Sequence, residues 1–337
     1  MSAGPGLPRT VLVLGGVSLL NDLASEMITP LLPLFLTGAL GAGPAAVGLV
    51  EGAAEAAASL LKLASGRLAD RGWSARGLVL GGYGLSNLAR PLIGLAGSWG
   101  AVLGLRVLDR VGKGLRTAPR DGLISAAVAG PIRGRAFGFH RAMDHLGAML
   151  GPLAAFALLA VGVGMREVFL ASALFGALVL GLLLWGLPRG ARLAPLGPAP
   201  SLRWGLLDAR LRRLLVGIGL LALATVPEAF LVLWAAGEGL AAVWVPLLWA
   251  AAHAVKAAVA APAGRLADRW GRLPVVGAGW AARVLLLLLL AAPGWPLGAV
   301  WALFLAYGAA LAFTEGAERA LVGDLAPRGL QGTAFGL

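Results

Sequence analysis

Acidic and basic side chains sit inside long apolar runs of this sequence, at spacings that bring them together. Asp22 and Glu26 stand four residues apart in the run 10–37, with Asn21, Ser25 and Thr29 beside them. That spacing puts both carboxylates on one helix face. In the run 44–65, Glu51, Glu55 and Lys62 fall within an arc of about 40° on a helix. In the run 100–129, Arg106, Asp109, Arg110, Lys113, Arg116 and Arg120 share an arc of about 120°. Two kinds of chemistry suit such groups. A carboxylate taken out of water holds its proton more tightly, as proton uptake and release requires, and a like-charge neighbour has the same effect. A cationic cluster binds carboxylate or phosphate, with arginine offering a planar fork of donors. Against each stands a structural reading: ion pairs between helices that only hold them together. The sequence leaves both open. In either case the cations need acid partners, and Asp22, Glu26, Glu51 and Glu55 are the candidates.

Other polar groups are sparser. His140, Arg141, Asp144 and His145 open the run 135–162, where Asp144 can reach His140 at i−4 and Arg141 at i−3. A hydrogen-bonded structural histidine is the default there, and titration near neutral pH is the alternative. Gly147 and Gly151 make a small-residue face that permits close helix approach. Glu228, His253 and Lys256 are sparser polar intrusions further on.

Several classes are excluded. Without cysteine there is no disulfide framework or thiol chemistry, and the three histidines share no metal-ligand spacing, so no metal or cofactor is expected. Gly112-Lys113-Gly114 lacks the flanking residues of a phosphate-binding loop. No nucleophile turn or zinc-protease motif occurs, so an enzyme is not expected, and the lack of a soluble domain argues against a sensor.

Hydrophobic residues make up 59% of the 337 positions and charged residues 13%, with a mean hydropathy of +0.84. Soluble chains carry about 25% charged residues, so lipid is the implied solvent. About 20 apolar residues cross a bilayer as a helix. Ten runs qualify: 10–37, 44–65, 76–96, 100–129, 135–162, 167–187, 210–236, 241–263, 273–292 and 297–322. The first is too long and too polar for a signal peptide. Arginines occupy alternate gaps: Arg67, Arg71 and Arg76; Arg133 and Arg135; Arg189, Arg192 and Arg203; Arg265, Arg269 and Arg272. The other gaps hold only Arg166. Positive loops stay cytoplasmic, so the N-terminus is expected inside a cell membrane, and the net charge of +12 reports topology rather than nucleic-acid binding.

The proline-bearing stretch 188–209 reads as a cytoplasmic linker between a six-helix bundle, 1–187, and a second bundle, 210–337, of about four helices and the start of a fifth. A repeat supports the split. Gly66-Arg67-Leu68-Ala69-Asp70-Arg71 recurs as Gly264-Arg265-Leu266-Ala267-Asp268-Arg269, and Gly134, Ala136, Phe137 and Gly138 recur as Gly332, Ala334, Phe335 and Gly336 at the same offset. Against two symmetric six-helix halves, about two helices are missing. A fragment, a truncated product and a true ten-helix protein all fit.

These loops resemble the signature loop between helices two and three of the major facilitator superfamily, once in each half. Arg106 with Asp109 and Arg110 resembles a second motif of that superfamily, with Asp and Arg in place of its Gln and Gly. Gly138, Gly147, Gly151 and Pro152 are similar to the fifth-helix motif of its proton-coupled antiporters. The resemblance implies an all-α membrane protein of two bundles, with about 10 of the usual 12 helices. It implies a secondary transporter of a small solute, proton-coupled and exporting, acting as a monomer in the bilayer. An organic-anion importer or exchanger, and a protein that does not transport, are the alternatives. It also implies gating by the loops, with Asp70 and Asp268 latching the cytoplasmic side through the start of a helix in the opposite half. Gly134 to Phe137 would receive Asp268, and Gly332 to Phe335 would receive Asp70.

Overall fold

A computed structural model describes residues 7–70, 73–128, 133–188, 208–223 and 225–325. Among these residues there are helices and no strands. The longer helices are α1 (Arg9–Glu26), α2 (Pro44–Asp70), α3 (Ala75–Leu92), α4 (Trp99–Ala126), α5 (Arg133–Ala160), α6 (Met165–Gly186), α7 (Ala209–Leu223), α8 (Glu228–Gly237), α9 (Val245–Trp270), α10 (Arg272–Leu290) and α11 (Leu297–Leu325). Among the described residues, six stretches are long and apolar enough to cross a membrane on those grounds alone: Pro44–Gly66, Phe139–Ala160, Met165–Gly186, Ala242–Gly264, Arg272–Leu290 and Leu297–Glu315. α4 is long enough but heavily charged, so its polar side has to face protein or water.

Sequence explains where helices start and stop. Ser74 and Ser98 cap α3 and α4 by accepting from the amides of Gly77 at 3.1 Å and Ala101 at 3.3 Å. Gly271, with φ of 89°, breaks the chain between α9 and α10 in a conformation that costs glycine little. Arg76 Nε and Nη2 donate to the carbonyls of Leu187 and Leu184, both at 3.1 Å, at the end of α6. Arg166, the one arginine on the wrong side of the charge pattern, has local work. Its Nη1 donates to the carbonyls of Gly94 at 2.8 Å and Ala96 at 2.9 Å, just after α3.

Two expected helices are interrupted. The run 10–37 is α1, a turn through Met27–Leu31, a short helix Leu32–Leu34 and a π-turn Phe35–Ala39. Pro30 and Pro33 have no N–H and crowd the preceding turn, which breaks the regular ladder. The run 210–236 is two helices rather than one, because Pro227 opens α8. Tyr307 satisfies the backbone exposed by that break: Val226 N–H donates to its hydroxyl at 3.1 Å, and the hydroxyl lies 3.3 Å from the Val226 carbonyl.

The chain divides into two compact units at residues 197/198, inside the proline-bearing stretch, with Ala242–Leu247 grouped with the first. In the first unit α4 packs along α2 and α3, α1 packs on α5 and α6, and α3 packs on α6. Val11, Leu14, Val17, Val79, Leu123, Ile124, Val179 and Leu183 form an apolar core. Glycines let the helices touch. A methyl group at Gly82 would meet the Gly112 carbonyl at 2.6 Å, and one at Gly114 would meet the Ala58 carbonyl at 2.7 Å. Gly151 lies against the Leu23 carbonyl and Gly147 against the Leu19 carbonyl, the close approach expected of that pair. In the second unit α10 packs on α11, with Ala267, Val275 and Ala317 buried between α9, α10 and α11.

Candidate functional site

Two sets of charged side chains are gathered within the first unit. The inner set is a chain of ion pairs. Asp109 is fully buried, with Arg90 Nε 2.9 Å from Oδ1 and Arg106 Nη1 3.4 Å from Oδ2. Arg106 continues outward, its Nε and Nη2 donating to the two carboxylate oxygens of Glu51 at 3.1 and 3.2 Å. Ser86 donates to the Asp109 carbonyl at 2.7 Å. Arg90 Nη1 donates to Asn21 Oδ1 at 2.9 Å, and Asn21 Nδ2 to Asp22 Oδ1 at 3.0 Å. The network ties α1, α2, α3 and α4 together. It satisfies the rule that a charge inside such a bundle needs a partner.

The outer set lines a cavity of about 310 Å³ between the helices of this unit. α1 contributes Asp22, Ser25 and Glu26; α2 contributes Lys62; α3 contributes Arg90; α5 contributes Arg141 and Asp144. α4 contributes Arg110, Lys113, Arg116, Thr117, Arg120 and Asp121. Seven cations thus face four carboxylates. Arg120 pairs with Asp121 at 2.9 Å. Asp144 is met by Arg141 at 3.4 Å and His140 at 3.5 Å, the two partners its spacing allows, and accepts from Ser18. Arg116 Nη1 donates to Ser86 Oγ at 2.6 Å, and its guanidinium lies 4.4 Å from the Tyr83 ring centre. Among the described residues no ion pair joins Arg110, Lys113 or Arg116 to a carboxylate, and Arg110 Nε is enclosed without a hydrogen-bond partner. A larger hollow of about 520 Å³ near Arg9 and residues 184–188 has a single charged lining residue.

The structure therefore gathers Asp22, Glu26, Arg110, Lys113 and Arg116 around one cavity. It assigns Arg106, Asp109 and Glu51 to an ion-pair chain beside it. Of the four acids expected to pair with the α4 cations, Glu51 does so with Arg106, but the chief partner of the cluster is Asp109 on α4 itself. Glu55 is exposed on α2 and does not line the cavity. Sequence reasoning missed Arg90, although a cation inside the third apolar run is the same signal that singled out the others. Gly147 and Gly151 serve packing, and Pro152 lies within α5 beside them. Of the signature loops, Arg71 lies outside the described residues, as do the side chains of Asp70 and Asp268 and the surroundings of Gly138. The segment Gly332 to Phe335, expected to receive Asp70, is outside them too. Gly66 and Gly264 lie within the last turns of α2 and α9, and Arg269 is exposed. In the second unit Lys256 pairs with Glu228, and Arg283 meets Thr314 and, at 3.4 Å, Glu318.

Long apolar helices with a polar, charge-lined cavity among them are the make-up of a membrane protein with a polar interior. The comparisons with known proteins agree. The model of the Major Facilitator Superfamily matches residues 14–337. An uncharacterized MFS-type transporter of Methanocaldococcus jannaschii is 31% identical over 98% of this chain and 84% of its own. An uncharacterized protein of Mycobacterium bovis is 32% identical over 98% of this chain and 82% of its own. Among solved structures, a bacterial homolog of the human lysosomal transporter Spinster, inward-facing and unoccupied, superposes with a TM-score of 0.70 at 19% identity, covering 99% of this chain and 78% of that one. The nucleoside transporter NupG superposes with a TM-score of 0.73 at 14% identity, covering 97% and 86%. The chain belongs to the major facilitator superfamily: it is an all-helical, multi-pass membrane protein of a transporter family.

Proposed function

We propose that this protein is a secondary active transporter that exports a small solute in exchange for protons, by alternating access, and not an enzyme. The cavity carries the reading. It is polar, solute-sized and lined by Asp22 and Glu26, and a charge at the centre of a membrane helix costs about 2.5–3.5 kcal/mol on insertion scales. Such groups persist where they serve a path for ions or solutes. Asp22 is the proton carrier in this account, since its own bonded partner is the neutral amide of Asn21. The arginine asymmetry supports a cytoplasmic N-terminus in the inner or plasma membrane, with 188–209 on the cytoplasmic side joining bundles 1–187 and 210–337. The repeated signature loops support a gating role for Asp70 and Asp268, and a monomer suffices for it.

The rival, import or exchange of an organic anion, uses the same cavity and is favoured by its cationic excess. It differs in direction. Both are tested by reconstituting the chain into liposomes and following a panel of labelled solutes with and without a pH gradient. An acid-inside gradient is expected to drive one solute inward as protons leave. In Asp22→Asn that accumulation is expected to vanish while solute-for-solute exchange persists. Flux no greater than in empty liposomes for every solute, or accumulation indifferent to the gradient, contradicts the proposal.

A further inference from the structure

The cations of the first unit are not equivalent, and the difference identifies a ligand. We propose that Arg110, Lys113 and Arg116 form a binding site for the oxyanion of the solute, a carboxylate or phosphate group, while Arg90 and Arg106 are reserved for structure. The proposal rests on the transport reading in one respect: the cavity is taken as the solute's.

Three observations converge. The first is charge. Of the seven cations lining the cavity, Arg120 is matched by Asp121, Arg141 by Asp144, and Arg90 by the buried Asp109 behind it. Lys62, Arg110, Lys113 and Arg116 then share the cavity with Asp22 and Glu26, and Glu55 acts on Arg110 and Lys113 from α2, which leaves an excess of one. An unmatched positive charge beside the buried Arg116 is costly, and an entering anion removes that cost.

The second is geometry. Arg110, Lys113 and Arg116 lie three residues apart in turn on α4, a rise of about 9 Å from first to last. They present one row of donors to the cavity. Arg116 is buried and pre-set, bonded to Ser86 and stacked on Tyr83, so little freedom is lost when it meets a ligand. Arg110 Nε is an enclosed N–H with no acceptor among the described residues. A buried donor without a partner is the kind of vacancy a ligand oxygen fills. Arg90 and Arg106 present no such vacancy, because Asp109 and Glu51 engage them.

The third is size. A volume of about 310 Å³ lies at the lower end of the range of ligand sites, roughly 300–1,000 Å³. It suits a small mono- or dianion rather than a large conjugate. The same oxyanion chemistry is offered by a free solute and by a lipid headgroup, and the test separates them.

The measurement is the melting temperature of the purified full chain in neutral detergent, read by tryptophan fluorescence. The probes are inorganic phosphate, succinate, phosphatidylglycerol, putrescine and glucose, each titrated at constant ionic strength. Phosphate or succinate is expected to raise the melting temperature saturably, and putrescine and glucose are expected to have no effect. In Lys113→Gln and Arg116→Gln the half-saturating concentration is expected to rise about tenfold or more, the worth of one charge-assisted hydrogen bond. Lys113→Arg keeps the charge and is expected to retain the response. So is Arg210→Gln, a change at an exposed residue of α7. If Arg116→Gln does not fold, the two Lys113 variants decide. Saturation by phosphatidylglycerol alone, lost in Lys113→Gln, supports the site and assigns it to a headgroup. The absence of saturation by any of the three anions, or saturation unchanged in Lys113→Gln, overturns the proposal. Gradient-driven uptake of a neutral or cationic solute by the same protein reconstituted into liposomes then leaves transport standing without the anion site, whereas its absence removes both.

Discussion

Asp109 is the residue on which the first unit's polar interior turns. It has no exposed surface, and it faces Arg90 and Arg106 at 2.9 and 3.4 Å. Removing one member of a buried pair leaves the others charged and unmatched, at a cost of about 3–5 kcal/mol. Asp109→Asn, which keeps size and shape, is therefore expected to lower the melting temperature of the solubilised protein strongly. Lys113→Gln, which touches no ion pair among the described residues, is expected to leave the melting temperature of the unliganded protein nearly unchanged. Similar melting temperatures for the two variants would remove the distinction between structural and ligand-facing cations. The α4 cluster was legible in the sequence because a charge in an apolar run is expensive and helical periodicity says which side it takes. The pairing was not. Periodicity orders residues around one helix but does not say which helix lies against it, so Arg90 went unmatched with Asp109.

At the scale of elements, helix contacts are set by glycine. α3 and α4 meet where Gly82 and Gly112 face each other's backbone, and α1 and α5 meet at Gly147 and Gly151. Overpacking such a seam costs about 1–3 kcal/mol and displaces the helices. Gly112→Val is expected to destabilise the protein and to impair any flux, since α4 carries four of the cavity's seven cations. Gly104→Val, at a glycine on α4 with open space around it, is expected to do neither; equal effects from the two would refute the seam. The break between α7 and α8 gives a second test. Tyr307→Phe strips the hydroxyl that meets both backbone groups of Val226, and each buried group left unpaired costs about 1–3 kcal/mol. A melting temperature equal to wild type would show that the break needs no such support. The existence of most helices was plain from hydropathy. Pro30, Pro33 and Pro227 were visible too, but a proline inside an apolar run ends a helix or merely kinks it, and the outcome depends on what repairs the lost hydrogen bonds. Tyr307, 81 residues from Val226, is a repair no local pattern announces.

At the scale of the whole molecule, the repeated loops and alternating arginines made the two-part plan readable, and family membership accords with it. What each half does was less readable, because the second carries few polar intrusions and its signature aspartate has no described side chain. Topology is open to direct test, since the natural sequence has no cysteine and any introduced thiol is unique. Ala39→Cys is expected to react with an impermeant reagent from outside, and Ala199→Cys only after permeabilisation. The reverse pattern would invert the orientation. The central claim, that the charged cavity is a path opened to each side in turn, is tested most directly by Thr117→Cys, since Thr117 lines the cavity on α4. The impermeant reagent should label this thiol from either face of the membrane. A conformation trapped open to one side should be labelled from that side only. Labelling confined to one face under every condition, or absent from both, would contradict alternating access through this cavity.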